Sequence, residues 1–549
     1  MAIRNFQFPG VELRQVFEET PVTGVSTLGV AIVGNKFKSN SVSWVYGGTA
    51  STIDLSKVAY CTAGEAEDLA VIVNDGLFLN YSATDSSTEL AITGGSAASN
   101  VVTVVFNADV TGATAAFGTE LPAVGDAVDV NNKGSANGTI AAINGATVTI
   151  DITGGTVADG ATITAVKFYK IVEEAELNDV GVTGTTLSIP ANVKANIGGK
   201  ESESSLEASD TAYSLKLRYN VASKLALKTV GSLTEVYEEF GEINNDNKMA
   251  LAVAFALMAA NGNVVNYVGV LSDDATGYVT AMDYLDRFDE VYSVVPLTYD
   301  ADILRQLVTS AEGSSEDTES KVRRTVWYGL ETPATDIVDG LITARKNVAA
   351  SYRAQAVWAD GAMFNGEVVD NFVVAAAAAG MRSYEPTYRP ISNLAYTFFT
   401  IAETNGLTKS DLERIGSNGI WIVANNFEGT PINKRQVTTA VANNLNLDEE
   451  SIVANADSIA LTLCHVGEDL VGCSNISPAL IKSLSDTITA IMDTYLINRT
   501  GNTYIGPQLL SWTLDSLYQH EVLLDHIYAV ITCEPPKPFN RFVMTLRIV

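Results

Sequence analysis

The sequence predicts a multi-domain α/β (α+β) protein with a central mixed sheet and flanking helices, an inserted all-β module, and extended β arms at its amino- and carboxyl-terminal ends. Three observations carry this. From about Tyr213, short apolar runs alternate with helix-length stretches, the pattern of a sheet with helices on its faces. Between Ile53 and Leu206, Gly, Thr, Val and Asn dominate, and short alternating runs are separated by turn dipeptides, as in a barrel or sandwich. Near the carboxyl end, Phe542, Met544, Leu546 and Ile548 fall on one side of an extended chain and Arg541, Thr545 and Arg547 on the other; a period of two marks a half-buried strand. The implied organisation is an arm over 1–20, a body built from 21–52 and 207–534, a peripheral module at 53–206, and an arm strand at 535–549.

In chain order, Ile3, Phe6 and Phe8 precede Pro9-Gly10, after which Val11-Glu12-Leu13-Arg14 alternates with Val11 and Leu13 as its apolar positions. Twenty extended residues span roughly 65 Å, further than the radius of an ordinary domain, so this arm can leave the body. Ser26 to Gly34 reads as a buried strand, and Asn35 to Ser41 as polar chain after it. In the module, Val124 to Val130, Gly138 to Ile143 and Ala146 to Ile152 read as strands, with Asn144-Gly145 as a hairpin turn. Glu201 to Asp210 reads as a solvated linker.

Ser232 to Glu235 has the capping-box spacing and opens a short helix ending at Phe240-Gly241. Asp246 is placed to cap the next helix, apolar from Met249 to Ala260, which stops at Asn261-Gly262. Strands follow at Val264 to Val270, Val291 to Val295, Val322 to Gly329 and Gln355 to Ala359. Helices fall at Tyr278 to Phe288, Ala301 to Ala311 and Thr335 to Val348, with a Ser/Glu loop at Gly313 to Ser320. Ser477-Pro478 begins an amphipathic helix that stops at Gly501, and Val522 to Cys533 alternates as a strand. Pro535, Pro536 and Pro538 then stiffen an extended spacer before the terminal strand, which must pair either within its own domain or with another chain.

The 549 residues are 47% apolar, enough for real cores in two to four domains. With 64 acidic against 34 basic residues the net charge is −30; a nucleic-acid partner needs a basic face, so nucleic acid is excluded as a partner. Close packing of copies must depend on screening or cations. Met249 to Ala260 is shorter than the roughly twenty apolar residues a membrane span needs, so no direct membrane insertion is expected. Pro9-Gly10 interrupts any signal-peptide pattern. Cys61, Cys464, Cys473 and Cys533 are too few for a disulfide framework and read as free thiols.

Catalytic material is sparse. His465, His520 and His526 are the three histidines. Cys464-His465 with Cys473 matches no zinc spacing, and His520 and His526 read as ordinary, partly buried side chains. Asp273-Asp274 and Asp448-Glu449-Glu450 lack calcium-loop spacing; the second group suits a helix start, where carboxylates meet the positive end of the dipole. Neither a phosphate loop nor a nucleophile elbow occurs. No catalytic residue, metal or cofactor is expected, and an enzyme is the weaker reading.

Several blocks, in order, resemble one family. Phe8-Pro9-Gly10-Val11-Glu12 resembles the Pro-Gly-Val opening of the tail sheath proteins of contractile-tailed bacteriophages and related contractile injection systems. Val25 to Gly34 is similar to their first strand, Ser232 to Gly241 with the core helix and Asn261 to Val270 to their helix, Phe-Gly, helix, Asn-Gly, strand block, and Gly416 to Ile420 with Gly429 to Arg435 to a late glycine block. Pro535 to Val549 resembles their terminal Pro-x-x-Pro strand. The likeness covers roughly 1–40 and 215–549. It departs at Gly429-Thr430-Pro431-Ile432-Asn433-Lys434-Arg435, where a Trp-Gly-x-Arg-Thr segment is usual.

The resemblance implies a structural, non-enzymatic subunit of the virion tail, assembled in the host cytoplasm. It implies polymerisation with copies of itself into a helix of rings around an inner tube protein, between baseplate and tail terminator proteins. The arm strands, through Val11, Leu13, Phe542, Met544, Leu546 and Ile548, would add to neighbours' sheets, with Pro9, Gly10, Pro535, Pro536 and Pro538 as spacers. Contraction would drive the tube through the target cell envelope ahead of genome ejection, with no nucleotide. A secreted acidic surface-layer protein or adhesin, and an α/β hydrolase with a β accessory domain, are the competing readings.

Overall fold

The apolar run that opens the body forms β1 (Gly29–Gly34), in which Val30 and Ile32 enter one hydrophobic core and Ala31 and Val33 another. A strand apolar on both faces belongs inside a sheet covered by helices, and the computed structural model places it there. The structure describes residues 29–36, 38–55, 69–84, 87, 90–111, 122–130, 136–191, 193–197, 200–201, 206, 213–219, 225–316, 322–441, 444–468, 471–498, 505–538 and 540. These divide into two compact units, one drawn from Met1–Lys36 with Ser223–Val549, the other from Phe37–Ala222.

In the first unit β1 is joined by β2 (Lys228–Val230), β3 (Val265–Gly269), β4 (Val291–Pro296), β5 (Thr325–Gly329), β6 (Ala354–Ala359), β7 (Ile420–Asn425) and β8 (Pro431–Arg435). They form an eight-stranded sheet in the order β2-β3-β1-β4-β5-β6-β7-β8. The strands from β3 to β7 are parallel, and β2 and β8 close the edges antiparallel. Between them run α1 (Leu233–Phe240), α2 (Lys248–Ala259), α3 (Ala275–Leu285), α4 (Ala301–Glu316), α5 (Ile337–Asn347), α6 (Asn371–Tyr384) and α7 (Lys409–Gly416). One face of the sheet is covered by α1, α2 and α6, the other by α3, α4, α5 and α7. The mixed sheet with flanking helices is as the sequence predicts. After β8 come α8 (Leu445–Asp448), α9 (Glu450–Glu468), α10 (Pro478–Tyr495) and a hairpin of β9 (Ser511–Gln519) and β10 (Ile527–Glu534).

Several boundaries differ from the sequence reading, each for a local reason. Asn247, not Asp246, caps α2: it accepts from the Ala250 amide at 3.2 Å and donates to the Phe240 carbonyl at 2.6 Å. This cap is fully buried, which favours an uncharged group that can both donate and accept. The Glu235 carboxylate of the expected capping box takes the Gly231 amide, at 2.7 Å, while Ser232 caps Glu235. Helix α4 continues through Gly313 to Glu316, where a loop was expected, because Ser314 bonds Asp286 at 2.7 Å and Ser315 accepts from the Arg324 amide at 2.8 Å; 317–320 lie outside the described residues. Helix α10 ends at Tyr495, whose carbonyl is taken by the Leu509 amide at 3.0 Å, well before Gly501.

In the second unit, eleven strands form one antiparallel sheet. Its path runs from Lys38–Trp44 through Tyr213–Tyr219, Leu69–Thr84 and Ala165–Asn178 to Ile92–Ala98, with no closing pair among the described residues, and a three-stranded sheet of Ser51–Asp54, Gly181–Thr183 and Thr186–Ile189 shares a hydrophobic core with it. The expected Asn-Gly hairpin is present: Ala136–Asn144 pairs with Thr147–Gly154, Asn144 opposite Thr147, with Gly145 at φ 60°. The two long strands Leu69–Thr84 and Ala165–Asn178 thread two separate cores. Val71, Val73, Ala175 and Leu177 belong to one; Ala83, Val166 and Phe168 belong to the other. Chain expected to be polar after β1 enters this sheet as Lys38–Trp44, and the unit extends past both ends of 53–206 because Lys38–Trp44 and Tyr213–Tyr219 pair with each other. Of the expected linker, Glu201 is in a strand and Leu206 is buried; the rest lies outside the described residues.

Candidate functional site

Of the predicted arm residues, Pro9, Gly10, Val11, Leu13, Phe542, Met544, Leu546 and Ile548 lie outside the described residues. The spacer is described: Pro535 is buried, Pro536 and Pro538 are half-buried, and Lys537 is exposed. It leaves directly from the terminal hairpin.

That hairpin is the site's centre. Strand β9 was missed in the sequence, although Trp512, Leu514 and Leu517 alternate with polar residues closely enough to have shown it. The strand expected over Val522 to Cys533 begins only at Ile527. Its first part is bent into a turn by local bonds: the His520 Nδ1 accepts from the amides of Val522 and Leu523 at 3.2 and 2.9 Å, and the His526 amide bonds the Leu523 carbonyl at 2.9 Å. The turn leaves Val522 and Leu524 exposed, at 81% and 66%. One face of the hairpin packs through Trp512, Ile531 and Cys533 on α9 and α10, and the Trp512 indole donates to Asp493 at 3.1 Å. The opposite face carries Thr513, Asp515 and Thr532; the two hydroxyls bond the Asp515 carboxylate and hold it below its usual pKa.

A two-stranded sheet is marginal alone, and this one is stabilised by its platform. β9 and β10 pair with no third strand among the described residues, which leaves both outer edges without a strand partner there, a template for further strands. Each edge can accept on the order of four to eight backbone hydrogen bonds.

Buried charges fix the platform to the body of the first unit. Arg353 pairs with Asp457 on α9, and the Tyr292 hydroxyl donates to the same carboxylate at 2.8 Å. Arg382 on α6 reaches Glu450 at 2.9 Å. The acidic group Asp448-Glu449-Glu450 does stand at a helix start, that of α9, as expected, and Glu449 and Glu450 are buried there within ion pairs. Burial raises the pKa of Glu450 against the pull of Arg382. Glu449 is pushed up to about 7 by burial, with Arg435 and Asn540 pulling it down and Glu450 adding to the rise. Its Oε1 accepts from Asn540 Nδ2 at 2.6 Å and lies 3.3 Å from Arg435 Nη2, while its Oε2 is buried without a partner among the described residues.

The other chemistry-bearing side chains are scattered. His465 is exposed on α9, and His520 and His526 are partly buried in the turn. Cys464 and Cys533 are buried, Cys473 is exposed, and Cys61 lies outside the described residues. Among the described residues no group of three or more His, Cys, Asp or Glu is placed to hold a metal, and no helix is long and apolar enough to cross a membrane.

No protein-family model and no curated protein matches the sequence. Among solved structures, the chain is similar to a protein of the anti-feeding prophage baseplate, at 10% identity over 59% of this chain and 88% of that one, TM-score 0.46. It is similar to a chain of the contracted PVC sheath complex of an extracellular contractile injection system, at 12% identity over 59% and 86%, TM-score 0.43. It is also similar to the sheath tail protein of Desulfitobacterium hafniense, at 10% identity over 98% of this chain and all of that one, TM-score 0.38.

Proposed function

We propose that this chain is a structural subunit of a contractile tail sheath. It polymerises helically around an inner tube by exchanging terminal strands with neighbouring copies, and its contraction drives the tube through the target cell envelope. One observation carries the reading: a two-stranded hairpin with both outer edges unpaired among the described residues sits immediately before a proline spacer. A subunit that both offers sheet edges and carries detachable strands can add each of its strands to a neighbour's hairpin. The bonds are backbone to backbone, and alternating side chains set the register. At about 0.5–1.5 kcal/mol net per bond, one arm of six to eight bonds contributes several kcal/mol, repeated at every copy. The partners on this reading are other copies, the tube, the baseplate and the tail terminator, in a tail assembled in the host cytoplasm. It assigns the chain no catalytic step and no cofactor.

Negative-stain electron microscopy of the full-length chain beside a version truncated after Pro538 tests it. Striated tubes or rings from the intact chain, with monomers from the truncated one, are expected. Tubes from both, or monomers from both over the whole salt range, would overturn the reading.

A further inference from the structure

We infer that Glu449 is the docking point that fixes where the carboxyl-terminal arm leaves the subunit, by holding the side chain of Asn540 on its buried carboxylate. The inference rests on the arm acting as a donor strand and adds that its root is tied to its own subunit. The spacer is then a strap with two fastenings: β10 at Glu534, held on α9 and α10, and Asn540 on Glu449, at 2.6 Å.

The second fastening stands on the body of the first unit. Glu449 lies between α8 and α9, forms an isolated bridge with Val437, and follows Asp448, whose carbonyl accepts from the Thr438 amide at 2.9 Å. Its carboxylate is fully buried and short of partners. Arg435, itself half-exposed, donates to Oε1 at 3.3 Å, and Oε2 has no partner among the described residues. A buried carboxylate in that condition is costly, so the Asn540 amide supplies what the site lacks. By reciprocity, whatever stabilises the ionised carboxylate stabilises docking equally. A pinned root also lowers the conformational freedom the arm loses when it adds to a neighbour, which is preorganisation.

The linkage gives docking a pH dependence. Bonding to Asn540 lowers the pKa of Glu449, so docking tightens as pH rises through about 7 and loosens below it. The charged groups that face Glu449 are Arg435 on β8 and Glu450 on α9; behind Glu450 stand Arg382 on α6 and Asp457 on α9.

Trypsin cleavage after Arg541 in unassembled full-length protein, followed by intact mass as loss of 542–549, tests this; the Lys537-Pro538 bond resists the protease. At pH 8, N540A and E449A are each expected to raise the initial rate about tenfold, the worth of one charge-assisted bond. The double variant should be no faster than either. E449Q, which keeps an acceptor oxygen, should be intermediate. Between pH 8 and pH 6 the ratio of the N540A rate to the wild-type rate, taken at each pH because trypsin itself slows in acid, should fall toward one. Should E449A fail to fold, judged by its melting curve, N540A and E449Q still decide. An N540A rate equal to wild type, or effects that multiply in the double variant, overturns the docking point. The failure modes separate: if the chain truncated after Pro538 still assembles while N540A speeds cleavage, docking stands and strand exchange falls; the reverse pattern removes docking alone.

Discussion

Glu239 on α1 accepts from the Lys228 ammonium at 2.7 Å, the Tyr267 hydroxyl at 2.5 Å and the Lys36 ammonium. Burial works to raise its pKa, but these three partners outweigh burial and hold it at about 2. Glu449 goes the other way, to about 7. The two therefore contribute to stability with opposite signs. Glu239, depressed when folded, contributes stability that is present above the unfolded value of about 4.5 and is lost as pH falls toward 2. Glu449, raised when folded, favours the fold while protonated, and that contribution is lost as pH rises from about 4.5 to 7. Urea midpoints measured against pH should lose the acid-side slope in E239Q and the slope between pH 4.5 and 7 in E449Q; unchanged profiles would show that neither carboxyl is the source. Asp457 supplies a sharper test. Asp457→Asn leaves Arg353 buried without its counter-charge and should cost about 3–5 kcal/mol. Replacing the pair together, Arg353→Met with Asp457→Leu, should recover most of it; a double variant as unstable as the single would locate the damage elsewhere.

Helices α2 and α6 show how element packing can overrule local preference. Both are nearly apolar all round, and the run Ala375 to Gly380 brings α6 close enough to α2 that a Cβ on Gly380 would lie 2.2 Å from the Ala256 carbonyl oxygen. In an isolated helix, Gly→Ala gains about 1 kcal/mol. Here the helices must separate, and overpacking of this kind costs about 1–3 kcal/mol. Gly380→Ala is therefore expected to lower stability in denaturant unfolding, although alanine is the better helix former. A rise would mean the two helices part without cost.

The two units set what can be removed. A deletion of 53–206 leaves Lys38–Trp44 and Tyr213–Tyr219 without the rest of their sheet, and exposes Trp44, Tyr46, Leu215 and Leu217, which belong to the second unit's core. That protein is expected to aggregate. Deletion of Phe37–Ala222, with a flexible Gly/Ser linker between Lys36 and Ser223, follows the boundary of the units and is expected to stay soluble with the first unit folded. Hydrogen exchange in β1, β4 and β5 would report it. Equal protection in both deletions would mean that the two flanking strands do not belong to the second unit's sheet.

Short-range chemistry made much of this chain readable in advance. The helix–strand alternation after Tyr213, the caps at Ser232 and Ser477, the glycine stops at 241 and 262, and the hairpin at Asn144 all depend on a few neighbouring residues, and each determines local backbone conformation by itself. The chain alone also sufficed to place a proline spacer before an alternating run. Other features depended on distant partners. Asp448-Glu449-Glu450 looks like an ordinary charged helix start until Arg382, from α6, and Arg435, from β8, are folded against it. Nothing local distinguishes Asn540 from any polar residue until Glu449, 91 positions earlier, is brought to it. Two cores threaded by the same pair of strands, and a hairpin near the carboxyl end whose edges stay unpaired among the described residues, are properties of which strands meet. Periodicity records which side of a strand is buried; only the folded chain decides what lies against it.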